Sequence, residues 1–243
     1  MWMLLHGFTG APESWDAVVA RLNEPQATVR PFLHGHGRDW RARRAKTFGD
    51  EVDRLLRLAE AMPRPRCLAG YSMGARLALA MHAARPQAFD AVVLIGVHPG
   101  LDDPGARASR QALDAAHAAN LREEGVRPFV DAWEGQPLFD SQRRLSTPSL
   151  SRQRQIRLDH DAEGLASSLD VLGLGQMPSY RDTIPELDPK PTLVAGSLDA
   201  KFASLARQLT EHPVVVEDAG HNVVLEAPDT LAALLREAHP RPA

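Results

Sequence analysis

A chain of 243 residues, 44% of them hydrophobic, is long enough for one large α/β domain with a sizeable core, or two small ones. Its 28 basic and 31 acidic side chains leave a formal charge of −3, which gives no footprint for nucleic acid or an anionic membrane surface. No apolar run reaches a membrane span, Met1 to Phe8 is too short for a secretory leader, and the single Cys67 cannot form an internal disulfide, so a cytoplasmic protein is expected.

Met1 to Leu5 reads as an apolar strand running into His6-Gly7-Phe8-Thr9-Gly10. Pro12 opens a helix from about Glu13 to Leu22, with Trp15, Val18, Val19 and Leu22 on one face. Ala27 to Leu33 is a second strand, ending in His34-Gly35-His36-Gly37. Thr47 and Asp50 make a capping pair for a helix through Leu55, Leu56 and Leu58, stopped by Pro63. Cys67 to Gly70 is a third strand, followed by a helix that ends at Pro86, and Ala91 to Val97 is a buried fourth. From Leu101 to about Ile184 the pattern is helical, broken at Gly125, Pro128, Gly135-Gln136-Pro137 and Pro148. Strands then resume at Pro191 to Gly196 and Val214 to Val216, alternating with helices over Lys201 to Leu209 and Pro228 to Ala238. The alternation predicts a mostly parallel sheet covered by helices on both faces. Residues 1–100 and 185–243 then form the core, and 101–184 an inserted helical cap.

Gly70-Tyr71-Ser72-Met73-Gly74 reads Gly-x-Ser-x-Gly, with a strand before and a helix after. That is the setting of a nucleophile elbow, a sharp turn that lifts the serine hydroxyl clear of the sheet. Ligands bind at the carboxyl ends of parallel strands, so the residues just after each strand carry the most weight. Ser72 comes after the third, Asp199 after the fifth and His221 after the sixth, in the chain order nucleophile, acid, histidine. Each has a plainer reading: Asp199 as the N-cap of the next helix, His221 as a turn histidine, and Asp218 as a competing acid. The backbone N–H groups of Met73 and Phe8 are the expected oxyanion donors. His34 and His36 are expected to shape their loop. A His6/His34/His36 metal site lacks a supporting carboxylate, so no metal is expected.

These residues resemble the α/β-hydrolase superfamily over the whole chain. Within it, Leu5-His6-Gly7-Phe8-Thr9-Gly10, Gly70 to Arg76, Gly96-Val97-His98-Pro99-Gly100-Leu101, Trp133 to Phe139, Asp199-Ala200-Lys201-Phe202 and Ala219-Gly220-His221-Asn222 are similar to the 2-succinyl-6-hydroxy-2,4-cyclohexadiene-1-carboxylate synthases of menaquinone biosynthesis. The resemblance implies a lyase without cofactor that eliminates pyruvate from a small tricarboxylate, 2-succinyl-5-enolpyruvyl-6-hydroxy-3-cyclohexene-1-carboxylate, with Ser72 as base. It also implies Arg76, Arg110 and Arg157 as carboxylate ligands, because a guanidinium grips a carboxylate in two places. Tyr71 is expected to face the pocket, and Trp133 and Phe139 either to wall it or to pack the core. Residues 101–184 hold ten arginines and thirteen acids, so most of those arginines belong on solvated faces, Arg143 and Arg144 among them. That family carries further residues before its first strand, so the leading edge strands here are expected to be short or absent. The alternative activity is a carboxylesterase or carbon–carbon bond hydrolase using Ser72 as nucleophile.

Overall fold

The computed structural model describes residues 1–22 and 28–240. Among the described residues, six strands form one sheet: β1 (Trp2–Leu5), β2 (Thr28–Val29), β3 (Cys67–Tyr71), β4 (Ala91–Ile95), β5 (Thr192–Gly196) and β6 (Val214–Val216). Their spatial order is β2-β1-β3-β4-β5-β6, and every pairing is parallel. All carboxyl ends therefore share one edge of the sheet.

The helices in chain order are α1 (Asp16–Val19), α2 (Phe48–Glu60), α3 (Met73–Ala84), α4 (Pro104–Glu124), α5 (Val126–Glu134), α6 (Thr147–Leu158), α7 (Ala162–Leu172), α8 (Ala200–Leu209), α9 (Val223–Glu226) and α10 (Pro228–Ala238). Alternate strand residues point to opposite faces, which splits the core in two. Met3, Leu5, Leu68 and Leu94 pack with α2, α3 and α8. Trp2, Leu4, Ala69, Val93 and Ile95 pack with Trp15, Val18, α9 and α10. Cys67 lies in that second layer, its thiol pushed up to about 12 by burial. A smaller cluster, including Leu121, Phe129 and Leu165, joins α4, α5 and α7. No described helix is long and apolar enough to cross a membrane.

Four sequence expectations need correction. The helix expected from Glu13 to Leu22 is a 3-10 turn, Pro12–Trp15, followed by the single α-turn of α1. The second strand pairs only at Thr28–Val29; Ala27 lies outside the described residues. The reason is local. Arg30 is held by Asp16 Oδ1 and Pro12 O, Pro31 has no N–H to give, and Leu33 N–H donates to His6 Nε2 instead of a neighbouring strand. Pro128 does not break a helix, because it sits in the first turn of α5 where no N–H is needed. The fourth strand stops at Ile95, two residues before Val97, because Gly96 turns the chain with φ 60°. The capping pair at α2 is formed: Thr47 Oγ1 accepts from Asp50 N–H, and Asp50 Oδ2 accepts from Thr47 N–H.

Buried histidines tie the loops at the sheet's carboxyl edge. His6 Nε2 accepts from Leu33 N–H, and its Nδ1–H donates to Gly7 O. His34 Nδ1 accepts from Ala45 N–H, with Nε2 bonded to Ser167 Oγ. His36 and His160 bond the Thr9 backbone. Each ring uses one nitrogen as acceptor for a backbone N–H, which fixes the neutral form. Burial holds His6 at about 3 and His160 at about 4, and pushes His36 well below the ordinary 6.5. The charged groups facing the cluster are Glu51 and Arg54 of α2, Arg43 and Asp159.

A folded-state pKa below the unfolded value means that the unfolded chain takes up protons first. The stability from these rings is complete above pH 6.5 and is lost as the pH falls, toward about 4 for His160 and about 3 for His6. Urea unfolding should show a free energy declining across that window by about 1.4 kcal/mol per pH unit for each proton taken up. His160→Gln should flatten the decline. A stability independent of pH between 6.5 and 4 would refute this account.

Candidate active site

Ser72 sits between the end of β3 and the start of α3 with φ 53° and ψ −109°, a strained conformation fixed on both sides. Its N–H donates to Ile95 O at 2.8 Å. The chain can turn this sharply only because Gly70 and Gly74 lack side chains. A Cβ on Gly70 would lie 2.3 Å from Gly74 O, and one on Gly74 2.3 Å from Leu5 O. The second contact presses the start of α3 onto the end of β1, bringing Met73 beside the loop that carries Phe8. Among the described residues, the N–H groups of Phe8 and Met73 have no partner in the chain.

Ser72 Oγ lies 3.1 Å from His221 Nε2, and His221 Nδ1 lies 2.7 Å from Asp199 Oδ2. The carboxylate only accepts, so Nδ1 carries the proton and Nε2 accepts from the serine hydroxyl. Asp199 also caps α8, its Oδ1 accepting from Phe202 N–H, so the plainer reading of this residue holds alongside the triad geometry. Asp218 is exposed, donates its N–H to Ser197 Oγ and makes no bond to His221. The His221 loop is anchored by Glu226, whose buried side chain accepts through its two oxygens from Gly220 and Asn222 N–H. Its spacing from Asn222 is one residue beyond a capping box, so the sequence carried no signal for it.

These groups open on a cavity of about 340 Å³, walled by Phe8, Tyr71, Trp133, Phe139 and Phe202. Trp133 stacks on Phe129 at 5.6 Å and meets Phe139 at 6.0 Å, so the aromatic wall and the packing are one cluster. Tyr71 and Phe202 lie 5.4 Å and 4.5 Å from the His221 ring, and burial raises the Tyr71 phenol. Arg76 and Arg110 line the same cavity. Arg76 donates to Leu172 O at 2.8 Å; burial, reinforced by Arg110 and opposed by Asp114, brings it down to about 9. Arg110 Nε donates to Asp114 Oδ1 at 2.9 Å.

Arg157 is not brought to the Ser72 cavity. It bonds Glu134 Oε1, lies over the Phe139 ring and lines an adjoining space of about 160 Å³, which shares Phe8, Tyr71 and Phe139. Arg143 is exposed, as expected. Arg144 reaches within 3.7 Å of Glu226 and so touches the His221 loop. Sequence reasoning also missed His98 and Lys201 as lining residues, although both sit in stretches that carry the resemblance. Burial and then Lys201, Arg76, Arg110 and Arg181 hold His98 at about 4, so it is neutral among cations. No three His, Cys, Asp or Glu among the described residues come together as a metal site. Chemically, the arrangement offers an activated hydroxyl, two free backbone donors and a cationic wall.

Residues 3–234 match the model of the alpha/beta hydrolase family. The putative 2-succinyl-6-hydroxy-2,4-cyclohexadiene-1-carboxylate synthase of Bacillus subtilis (strain 168) is 32% identical over 241 residues, covering 96% of this chain and 88% of that protein. The 2-succinyl-6-hydroxy-2,4-cyclohexadiene-1-carboxylate synthase of Enterobacter sp. (strain 638) is also 32% identical, covering 97% and 90%. Among solved structures, MenH from S. aureus superposes with a TM-score of 0.87 at 25% identity, covering 96% of this chain and 91% of its own. A thermophilic esterase from Thermogutta terrifontis gives 0.80 at 25%, covering 97% and 88%.

The elbow generates a stability test. Gly70→Ala and Gly74→Ala should each cost about 3 kcal/mol or more, lowering Tm by at least about 6 °C, because backbone atoms must move. Gly49→Ala in the first turn of α2, whose new Cβ would meet only Thr47 Oγ1 at 3.8 Å, should instead be neutral or stabilising by up to about 1 kcal/mol. Equal melting curves for the three variants would refute the crowding.

Proposed function

The chain belongs to the alpha/beta hydrolase family, and within it to the family of the 2-succinyl-6-hydroxy-2,4-cyclohexadiene-1-carboxylate synthases; from that premise we propose that it is a carbon–oxygen lyase of menaquinone biosynthesis. Its substrate would be 2-succinyl-5-enolpyruvyl-6-hydroxy-3-cyclohexene-1-carboxylate. The observation that carries the reading is the Ser72–His221–Asp199 hydrogen-bonded line opening on a cavity with Arg76 and Arg110 in its wall.

In this reading Ser72, polarised by His221, takes the proton beside the succinyl ketone. The ketone oxygen becomes an enolate, held by the N–H groups of Met73 and Phe8. The electron pair returns through the ring and breaks the bond to the enolpyruvyl oxygen, which leaves as the enolate of pyruvate. The proton taken from the substrate, given back by the Ser72–His221 pair, converts that enolate to pyruvate beside the cyclohexadiene. Asp199 keeps the imidazole in the tautomer that can accept the serine proton. No step calls for a metal or organic cofactor. Arg76 and Arg110 bind substrate carboxylates, and Lys201 adds positive charge at the same wall. Arg157 acts through the adjoining space, with Tyr71, Trp133 and Phe139 as the apolar wall against the ring. Residues 101–184 act as the cap that covers the site. A cytoplasmic location belongs to the same reading.

A hydrolase using Ser72 as nucleophile is the second reading, favoured by the likeness to the Thermogutta terrifontis esterase. The two separate in one assay, with the enolpyruvyl substrate and aryl esters offered side by side. Pyruvate release without ester turnover and without a covalent adduct on Ser72 supports the lyase; ester turnover with an acyl-serine and no pyruvate overturns it. Ser72→Ala and His221→Ala should each lose about 10²–10⁴-fold in turnover while remaining folded, and Asp199→Asn should be severely impaired.

The arginines provide a second check. Losing a charge-assisted hydrogen bond worth roughly 1.5–3 kcal/mol should cost Arg76→Ala and Arg110→Ala about 10–150-fold in kcat/KM. Arg157→Ala should cost less, since Arg157 faces the adjoining space. Lysine at 76 should restore only part. Arg143→Ala is the control; Arg144 is unsuitable because of Glu226. Losses at Arg76 and Arg110 no greater than at Arg143 would refute the carboxylate wall.

A further inference from the structure

Thr9 comes directly after Phe8, and its φ of 61° puts a β-branched residue in the left-handed region. It stands in a turn closed by Gly10 N–H donating to Gly7 O at 3.0 Å. Both of its backbone polar groups are taken by imidazoles from two other segments. Thr9 N–H donates to His36 Nε2 at 3.2 Å, and His160 Nε2–H donates to Thr9 O at 3.1 Å. The remaining ring nitrogens fix these roles: His36 Nδ1–H donates to His34 O at 3.0 Å, and His160 Nδ1 accepts from Gly37 N–H at 2.9 Å. The two rings meet edge-on at 5.2 Å, and both are buried. Neither takes part in the chemistry proposed above.

We infer that His36 and His160 are positioning residues: by holding the two peptide units that flank Thr9, they aim the Phe8 N–H at the developing oxyanion. The inference rests on the oxyanion role of that N–H. Phe8 N–H lies one peptide unit before Thr9 N–H, so the turn's rotation sets its direction. Without the two imidazoles, Thr9 relaxes toward negative φ and carries the donor off target. His160 lies in the connection between α6 and α7, so this connection becomes part of the catalytic geometry without touching substrate. The oxyanion exists only in the transition state and in the intermediate that forms from it, so the loss falls on kcat and not on KM. Misplacement by about 1 Å costs up to about 10²-fold.

The amide side chains divide the two bonds of each ring. Glutamine at 160 places its amide near Nε2 and keeps donation to Thr9 O; asparagine places it near Nδ1 and keeps only the bond from Gly37. At 36, glutamine keeps the acceptor for Thr9 N–H and asparagine only the donor to His34 O. We expect His160→Asn and His36→Asn to lose about 10–100-fold in kcat, with KM within about twofold and cooperative melting retained. His160→Gln and His36→Gln should stay within about threefold of the unaltered protein. Each variant is assayed by pyruvate release from the cyclohexene substrate and by hydrolysis of an aryl acetate, because both reactions develop an oxyanion. If the unaltered protein turns over only the ester, the proposed lyase falls and the ester arm still decides the positioning. If asparagine and glutamine variants share one kcat, or the loss appears in KM, the positioning role is overturned with the function intact. An unaltered protein inert toward both substrates removes the oxyanion role of Phe8 and this inference with it.

Discussion

The contact on which the site depends is the close crossing of α3 over the end of β1. Gly74 sits where a Cβ would lie 2.3 Å from Leu5 O and 2.5 Å from His6 O. That approach does two things at once. It lets the backbone reverse at Ser72 with positive φ, and it brings the first turn of α3 beside the loop leaving β1. Met73 and Phe8 come from segments far apart in sequence, yet both line one cavity through this crossing. The parallel sheet supplies the rest, since β3, β5 and β6 each deliver one group to the same edge.

Those groups were legible because each depends on local sequence. Ser72, Asp199 and His221 all lie within a few residues of a strand's end, and that end can be read from where the apolar run stops. The alternation of strands and helices, and with it a mostly parallel sheet, was readable for the same reason; the spatial order of the strands was not read from the sequence. The features that were not legible depend on how helices pack. Arg76 and Arg157 look alike in sequence, but Arg76 rides on α3 directly behind Ser72, whereas Arg157 rides on α6 and is captured by Glu134 of α5. Arg144 looks like a solvated residue until the fold brings it near Glu226. His98 and Lys201 lay in stretches already noted, yet nothing short of the packed structure puts them in one wall with Arg110.

The short second strand teaches something different. Pro31 and the charged Arg30 were visible in the sequence, and both argue against a long strand there. The apolar residues around them outweighed that signal. The structure settles the balance through His6, whose ring takes the Leu33 N–H that a neighbouring strand would otherwise receive. The His6 ring is thus a substitute for a ladder hydrogen bond.

The cationic wall has a consequence for how a ligand arrives. The chain as a whole carries −3, while Arg76, Arg110 and Lys201 line one concave surface with Asp114 as their acidic neighbour. At a distance the net charge repels a polyanion, and within a Debye length of roughly 8 Å at physiological salt the mouth attracts it. Added salt weakens both fields, the long-range repulsion first because it acts across more solvent. Capture of a polyanion should therefore quicken as salt rises from very low levels and slow again once the near field is screened. Such a non-monotonic ionic-strength dependence would be the kinetic signature of a cationic recess in an anionic protein.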